Sequence, residues 1–309
     1  MPYVEIFLNH IAPIFLSAST GFVLGRRVRP DLKTVSRLAF YIFSPCLIFT
    51  SITHTTIQGA ELGRITLFTL GIVGVMTSLA FATGLALRLE RRTLVALVIA
   101  AVFVNGGNYG LAVNQFAFGD EALARAVLYY IFSSLSVYTL GVIVAASGRP
   151  SASVWRAMGR ALVSLPTTYA LIAAGLIRLL GWSLPVVLDR PITLLSQAAI
   201  PVMLVLLGLQ IAEARDGAWP RSRLGLILVA SFLQLVIAPL VGLGLASALS
   251  LAGVTRQALV LEAAMPTAVI TTILAVEYDL DTTFVTGTVV LSTLLSPLTL
   301  TPLIAYLQR

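Results

Sequence analysis

Apolar runs of close to twenty residues, separated by short polar stretches, repeat along the whole chain. An α-helix crosses the hydrocarbon core of a bilayer in about 20 residues. Ten runs fit that length: 4–24, 38–53, 65–87, 94–118, 122–146, 161–180, 192–212, 224–251, 258–276 and 283–307. They predict an all-α membrane protein with ten transmembrane spans in a single domain. The first run has no basic flank and no small-residue cleavage site before Arg26, so it reads as a retained span and not a cleaved leader.

Composition sharpens this picture. Hydrophobic residues make up 58% of the chain and charged residues 11%, with a mean hydropathy of +0.97. Soluble domains carry about 25% charged residues, so a water-covered globule is excluded. The net charge of +7 does not point to nucleic acid, because no stripe of basic and aromatic residues accompanies it. The basic residues instead mark topology. Fourteen lie in the loops after spans 1, 3, 5 and 7: Arg26, Arg27, Arg29, Lys33 and Arg37; Arg88, Arg91 and Arg92; Arg149, Arg156 and Arg160; Arg215, Arg221 and Arg223. Six lie on the other side: Arg64, Arg125, Arg178, Arg190, Arg256 and Arg309. Basic residues accumulate on the cytoplasmic side, so both termini are expected outside a cell membrane crossed ten times.

The two halves share punctuation. Pro13 and Pro166 lie 153 residues apart, Pro45 and Pro201 lie 156 apart, and Gly107 and Pro266 lie 159 apart. Five spans per half is an odd number, so the halves enter the membrane from opposite sides. The expectation is an inverted repeat of residues 1–147 and 154–309, with interrupted helices in spans 4 and 9.

Candidate chemistry gathers at those interruptions. Span 4 contains Asn105, Gly106, Gly107, Asn108, Tyr109, Gly110 and Asn114. Glycine is a poor helix former, and an asparagine in hydrocarbon is costly unless paired. The cluster reads as an unwound segment lining a polar cavity; close helix packing through glycine, with asparagine as interhelical glue, is the plainer alternative. Span 9 carries Met265, Pro266 and Thr267, and Pro266 removes a backbone donor. Two half-helices starting at the midplane aim free N–H groups and positive dipole ends at one point, which suits a carboxylate. No arginine is close in sequence to either break, which argues mildly against a dianion. Glu262, one turn before Pro266, is a candidate for proton or cation coupling; a position near the outer interface, hydrogen-bonded or wet, is the competing reading. Gln210 and Gln234 read as polar glue.

Enzymatic constellations do not emerge. His10 and His54 lie far apart, Cys46 is the lone cysteine, and no phosphate loop, Gly-x-Ser-x-Gly or His-Glu-x-x-His occurs. Neither a metal nor a cofactor is expected.

Several segments together resemble the auxin efflux carrier family, which includes PIN-type auxin carriers and bacterial carriers for malonate and malate. They are Ser44-Pro45-Cys46-Leu47-Ile48-Phe49, Asn105-Gly106-Gly107-Asn108-Tyr109-Gly110-Leu111, Ile200-Pro201-Val202-Met203, Ala263-Ala264-Met265-Pro266 and the run 291–300. The resemblance covers nearly the whole chain. It implies ten helices in two inverted five-helix repeats, with spans 1, 2, 6 and 7 as scaffold. Spans 3–5 and 8–10 then form a transport domain around crossed broken helices 4 and 9. It further implies a homodimer through spans 2 and 7 and an elevator-type alternating access. Asn105, Asn108, Tyr109, Met265, Pro266 and Thr267 become the substrate contacts, with Gly107 and Asn114 beside them. Where the family continues Gly-Leu-Pro, this chain has Gly110-Leu111-Ala112, so the break in span 4 is left to its glycines. The expected cargo is a small carboxylate, either an aromatic acid beside Tyr109 or a dicarboxylate. A sodium- or proton-coupled symporter of the same fold is the first alternative, and a membrane-embedded enzyme or sensor is a remote second.

Overall fold

The computed structural model describes residues 2–55, 57, 59–137, 139, 159, 165–214 and 221–309. Its helices are α1 (Tyr3–Arg27), α2 (Leu32–Thr53), α3 (Gly59–Ala86), α4 (Arg91–Val102), α5 (Leu111–Ser136), α6 (Pro166–Leu179), α7 (Val186–Glu213), α8 (Ser222–Ala248), α9 (Gly253–Ala263), α10 (Ile270–Glu277) and α11 (Thr282–Leu307). Six of them, α1, α2, α3, α7, α8 and α11, are long and apolar enough to cross a membrane. Among the described residues the β-structure is limited to one antiparallel bridge, between Val104 and Thr267. The proposed repeat boundary, and Arg149, Arg156, Arg160 and Arg215, lie outside the described residues.

The solvent of the outer surface is visible in what it exposes. Val187, Leu298 and Leu16 are 83%, 73% and 68% exposed, while Asn114, Gln234, Glu262, Thr267, Ser292 and Ser296 are buried. A chain that turns leucine outward and amides inward is arranged for lipid. This is a multi-pass membrane protein.

Three helices widen in a regular way. Single π-turns occur at Phe7–Ile11, Ala39–Phe43 and Leu233–Ile237. Each is centred four residues before a proline, namely Pro13, Pro45 and Pro239. A proline ring clashes with the carbonyl four residues earlier. A locally wider turn moves that carbonyl aside and lets the helix continue without breaking.

The helices pack in two groups. α7 lies along α1 and α2, and α6 packs on α2; separately, α3, α4, α5, α8, α9 and α11 pack on one another. The α1–α7 contact is backbone to backbone: a Cβ on Gly21 would fall 2.0 Å from the Val205 carbonyl oxygen, and one on Gly208 would fall 1.8 Å from that of Ala18. Small residues give membrane helices this close approach.

Contacts at the helix ends tie distant loops together. Arg92 pairs with Asp279, and Arg223 with Asp281 at 2.8 Å. Elsewhere Arg178 donates to the carbonyls of Ile52, Thr55 and Ile57, and Gln308 approaches His10 at 3.4 Å, which brings the two terminal helices together at one face. α5 is bent rather than straight. Gly119 has φ +78° and breaks the helix, leaving the Phe116 carbonyl to accept from the His10 ring at 2.6 Å.

Candidate functional site

Two stretches of backbone leave the helical path deep in the protein. α4 stops at Val102 and residues 103–105 leave the helix, Phe103 and Val104 in strand-like conformation, while α9 stops at Ala263 and residues 264–269 connect it to α10. Unpaired backbone groups at membrane depth are costly, and here each stretch satisfies the other. Asn105 N–H donates to Pro266 O at 2.7 Å and Ala268 N–H to Phe103 O at 2.8 Å, either side of the Val104–Thr267 bridge. Side chains complete the set. Thr267 Oγ1 donates to Ala100 O, which the end of α4 leaves free, and Thr267 N–H is taken by Ser292 Oγ. Gln234 Nε2 donates to Met265 O at 3.0 Å.

The glycines serve packing and not unwinding. Gly106–Gly110 form a π-turn that leads directly into α5, whereas the extended residues before it all have negative φ and side chains. A Cβ on Gly107 would lie 2.7 Å from the Tyr130 ring, and one on Gly106 or Gly110 would lie 2.6–2.7 Å from the Glu262 carboxylate. The sequence-based expectation that the break relies on its glycines is therefore corrected. The glycines let Tyr130 and Glu262 touch the backbone of the following half-helix.

Glu262 is 0% exposed. Its Oε1 accepts from Asn114 Nδ2 at 3.0 Å, and Asn114 also donates to Gly110 O. Its Oε2 has no partner, and among the described residues no cation pairs with it. Glu262 is thus hydrogen-bonded and not wet. A carboxylate in this position calls for a proton or a bound cation, because a lone buried charge is strongly disfavoured.

Beside the paired stretches lies a cavity of about 310 Å³, between α2 and α7 on one side and α5 and α10 on the other. Asn105, Gly106, Gly107 and Asn108 line it at the start of the α5 half-helix, and Ala268, Val269 and Ile270 at the start of α10. The first four N–H groups of a helix lack intrahelical partners, so two positive helix ends face this space. Asn105 is 5% exposed and its Nδ2 donor has no partner. Asn108 Nδ2 reaches Gln210 Oε1 on α7 at 3.4 Å across the same space.

Of the residues expected to touch a ligand, Asn105, Gly107 and Asn108 line this cavity. Tyr109, Asn114, Met265, Pro266 and Thr267 are buried behind it. Tyr109 donates to Ser296 Oγ at 3.0 Å and stands edge-on to Phe15, so its ring is not offered to a ligand here. Tyr130 is the aromatic residue beside the asparagines. The expectation of no nearby arginine also fails, because Arg37 lines the cavity. The apolar run of span 2 begins at residue 38 and leaves Arg37 as loop charge, whereas α2 starts at Leu32, capped by Asp31, which accepts from the backbone of Lys33 and Thr34. An Asp-x-x-Thr cap was the signal that would have moved Arg37 into the helix.

A second cavity of about 690 Å³ lies toward the other ends of α2 and α7, beside Ser17, His54, Gln115, Asp120, Arg125 and Gln197. Arg125 there is held by Glu61 at 2.7 Å and by Thr255.

Comparison with known proteins converges on one group. The profile of the family described as "Membrane transport protein" matches residues 6–154 and 149–304. An "Uncharacterized transporter" of Methanothermobacter thermautotrophicus is 31% identical over 280 residues, covering 89% of this chain and 88% of that protein. A second "Uncharacterized transporter", from Methanocaldococcus jannaschii, is 23% identical over 89% of each chain. A Rhizobium meliloti protein named "Putative malonate transporter" is 28% identical over 97% of this chain and 95% of its own length.

Proposed function

This chain belongs to the membrane transport protein family, the auxin efflux carrier type, and from that premise we propose that it is a secondary carrier of small organic carboxylates. One observation carries the reading: Asn105, whose buried amide donor has no partner, lines a cavity onto which two half-helix N-termini open. Amide donors and positive dipole ends are chemistry for an anion. In this reading the two interrupted stretches are the crossing of broken spans 4 and 9 in a ten-span inverted repeat. α1, α2, α6 and α7 form a scaffold against which the remaining helices slide as an elevator, and spans 2 and 7 form a homodimer contact. Arg37, which lines the cavity, belongs to the arginine-rich end of the molecule. The site then faces the cytoplasm in this conformation, with both termini outside a cell membrane.

The test is ligand-induced thermal stabilisation of the purified protein by malonate, malate, indole-3-acetate and benzoate, each paired with its neutral amide. Stabilisation by at least one acid and not by its amide supports the reading. Equal responses to acids and amides, or none to any acid, would remove the anion site.

A second reading, cation-coupled symport, is favoured by Glu262. Its carboxylate has one free oxygen and touches the backbone at the start of the α5 half-helix, where an ionised Glu262 would compete with a bound anion for the same positive helix end. A proton or sodium ion on Glu262 removes that competition. Carboxylate uptake into vesicles that is indifferent to both pH and sodium would sink this version and leave the carrier assignment standing.

A further inference from the structure

Ser36, Ser133, Ser134, Tyr130 and Gln210 give the 310 Å³ cavity neutral polar walls, and donors suited to an anion sit at two further places. Asn105 and the N–H groups of Gly106–Asn108 lie at the start of the α5 half-helix, and Arg37 lies on α2. No acidic residue lines the cavity among the described residues. Among the described residues no hydrogen bond or ion pair engages the Arg37 guanidinium, and Arg37, an exposed residue, lines this space of small-molecule size. An arginine fork matches a carboxylate in two parallel hydrogen bonds. Asn105 and the helix ends already provide for one carboxylate; the free guanidinium provides for another.

We propose that Arg37 is a specificity-determining residue that binds the second carboxylate of a short dicarboxylate whose first carboxylate sits at Asn105 and the α5 helix start. The inference rests on the carboxylate reading above and narrows it from acids in general to dianions. It also gives the ligand a mechanical role. Arg37 belongs to α2, which packs with α6 and α7, whereas Asn105 belongs to the segment between α4 and α5 in the other packing group. A dicarboxylate therefore reaches one residue in each group, and a monocarboxylate does not.

The experiment compares malonate with malonamate, its monoamide of equal length, by calorimetric titration of the full chain in detergent. Wild-type protein is expected to bind malonate at least about tenfold more tightly, the scale of one charge-assisted pair. Arg37→Gln should abolish that preference while leaving malonamate affinity unchanged, and Arg37→Lys should restore part of it. Lys33→Gln removes the same charge from the same helix, outside the cavity lining, and should change nothing. Equal loss of both ligands in Arg37→Gln, an equal effect of Lys33→Gln, or an undiminished malonate preference in Arg37→Gln would overturn the proposal. Failure of both acids to bind wild-type protein would instead overturn the carboxylate reading itself, whereas tighter binding of malonamate than malonate would overturn only the role of Arg37.

Discussion

Asn105 and Glu262 show how differently two buried polar side chains can be used. Asn105 N–H is committed to Pro266 O, while its side-chain donor is buried without a partner in a residue that lines the cavity. Asn105→Ala keeps the backbone pairing and removes the free donor. It should weaken carboxylate binding by about 10- to 100-fold, the range of one hydrogen bond to a charged group, with the melting temperature of the unliganded protein little changed. Glu262 is enclosed by protein and lines neither cavity. Glu262→Gln is close to isosteric and keeps a hydrogen-bonding partner for Asn114. Vesicle uptake by this variant should lose its dependence on pH or sodium, and a retained dependence would assign coupling elsewhere. Gly107 sits against the Tyr130 ring, and a Cβ there would lie 2.7 Å from it. Gly107→Ala should displace Tyr130 into the cavity and lower the affinity for every substrate, acid or amide, which separates it from Asn105→Ala.

At the scale of elements, the α1–α7 crossing has no room for any side chain at its closest points. Gly208→Val forces the two backbones apart and should destabilise the fold by roughly 3 kcal/mol, the upper range for overpacking. Loss of the monodisperse peak in size-exclusion chromatography would report it. Gly175 on α6 is the contrast, since a Cβ there meets nothing within 4 Å. Gly175→Ala should be neutral or stabilising by about 0.5–1 kcal/mol through helix propensity. The π-turns before Pro13, Pro45 and Pro239 belong to this scale too, because each proline coincides with a wider turn just before it in its own helix.

The whole molecule adds what no element holds alone. Arg92 with Asp279, Arg223 with Asp281, and His10 with Gln308 bring loops from both halves of the chain to shared faces. In a Cys46→Ser background, Gln308→Cys should react with a membrane-impermeant maleimide on intact cells, and Arg91→Cys only after permeabilisation. The reverse pattern would invert the topology inferred from the arginines.

Solvent and scale were legible in the amino-acid sequence. Twenty-residue apolar runs and 11% charged residues leave lipid as the fitting environment, and such patterns survive any uncertainty in helix boundaries. It also marked the neighbourhood of the site, because glycines, asparagines and Pro266 in apolar spans are locally costly and therefore conspicuous. Tertiary structure alone decided which of those residues face the cavity. Asn105 and Asn108 reach it, whereas Tyr109 and Asn114 turn away from it to Ser296 and Glu262. It also brought Arg37 in from a helix more than sixty residues away. Periodicity and composition report the environment of a segment, but the direction of one side chain around a helix depends on what packs against it, and that is fixed by contacts between residues far apart in the chain.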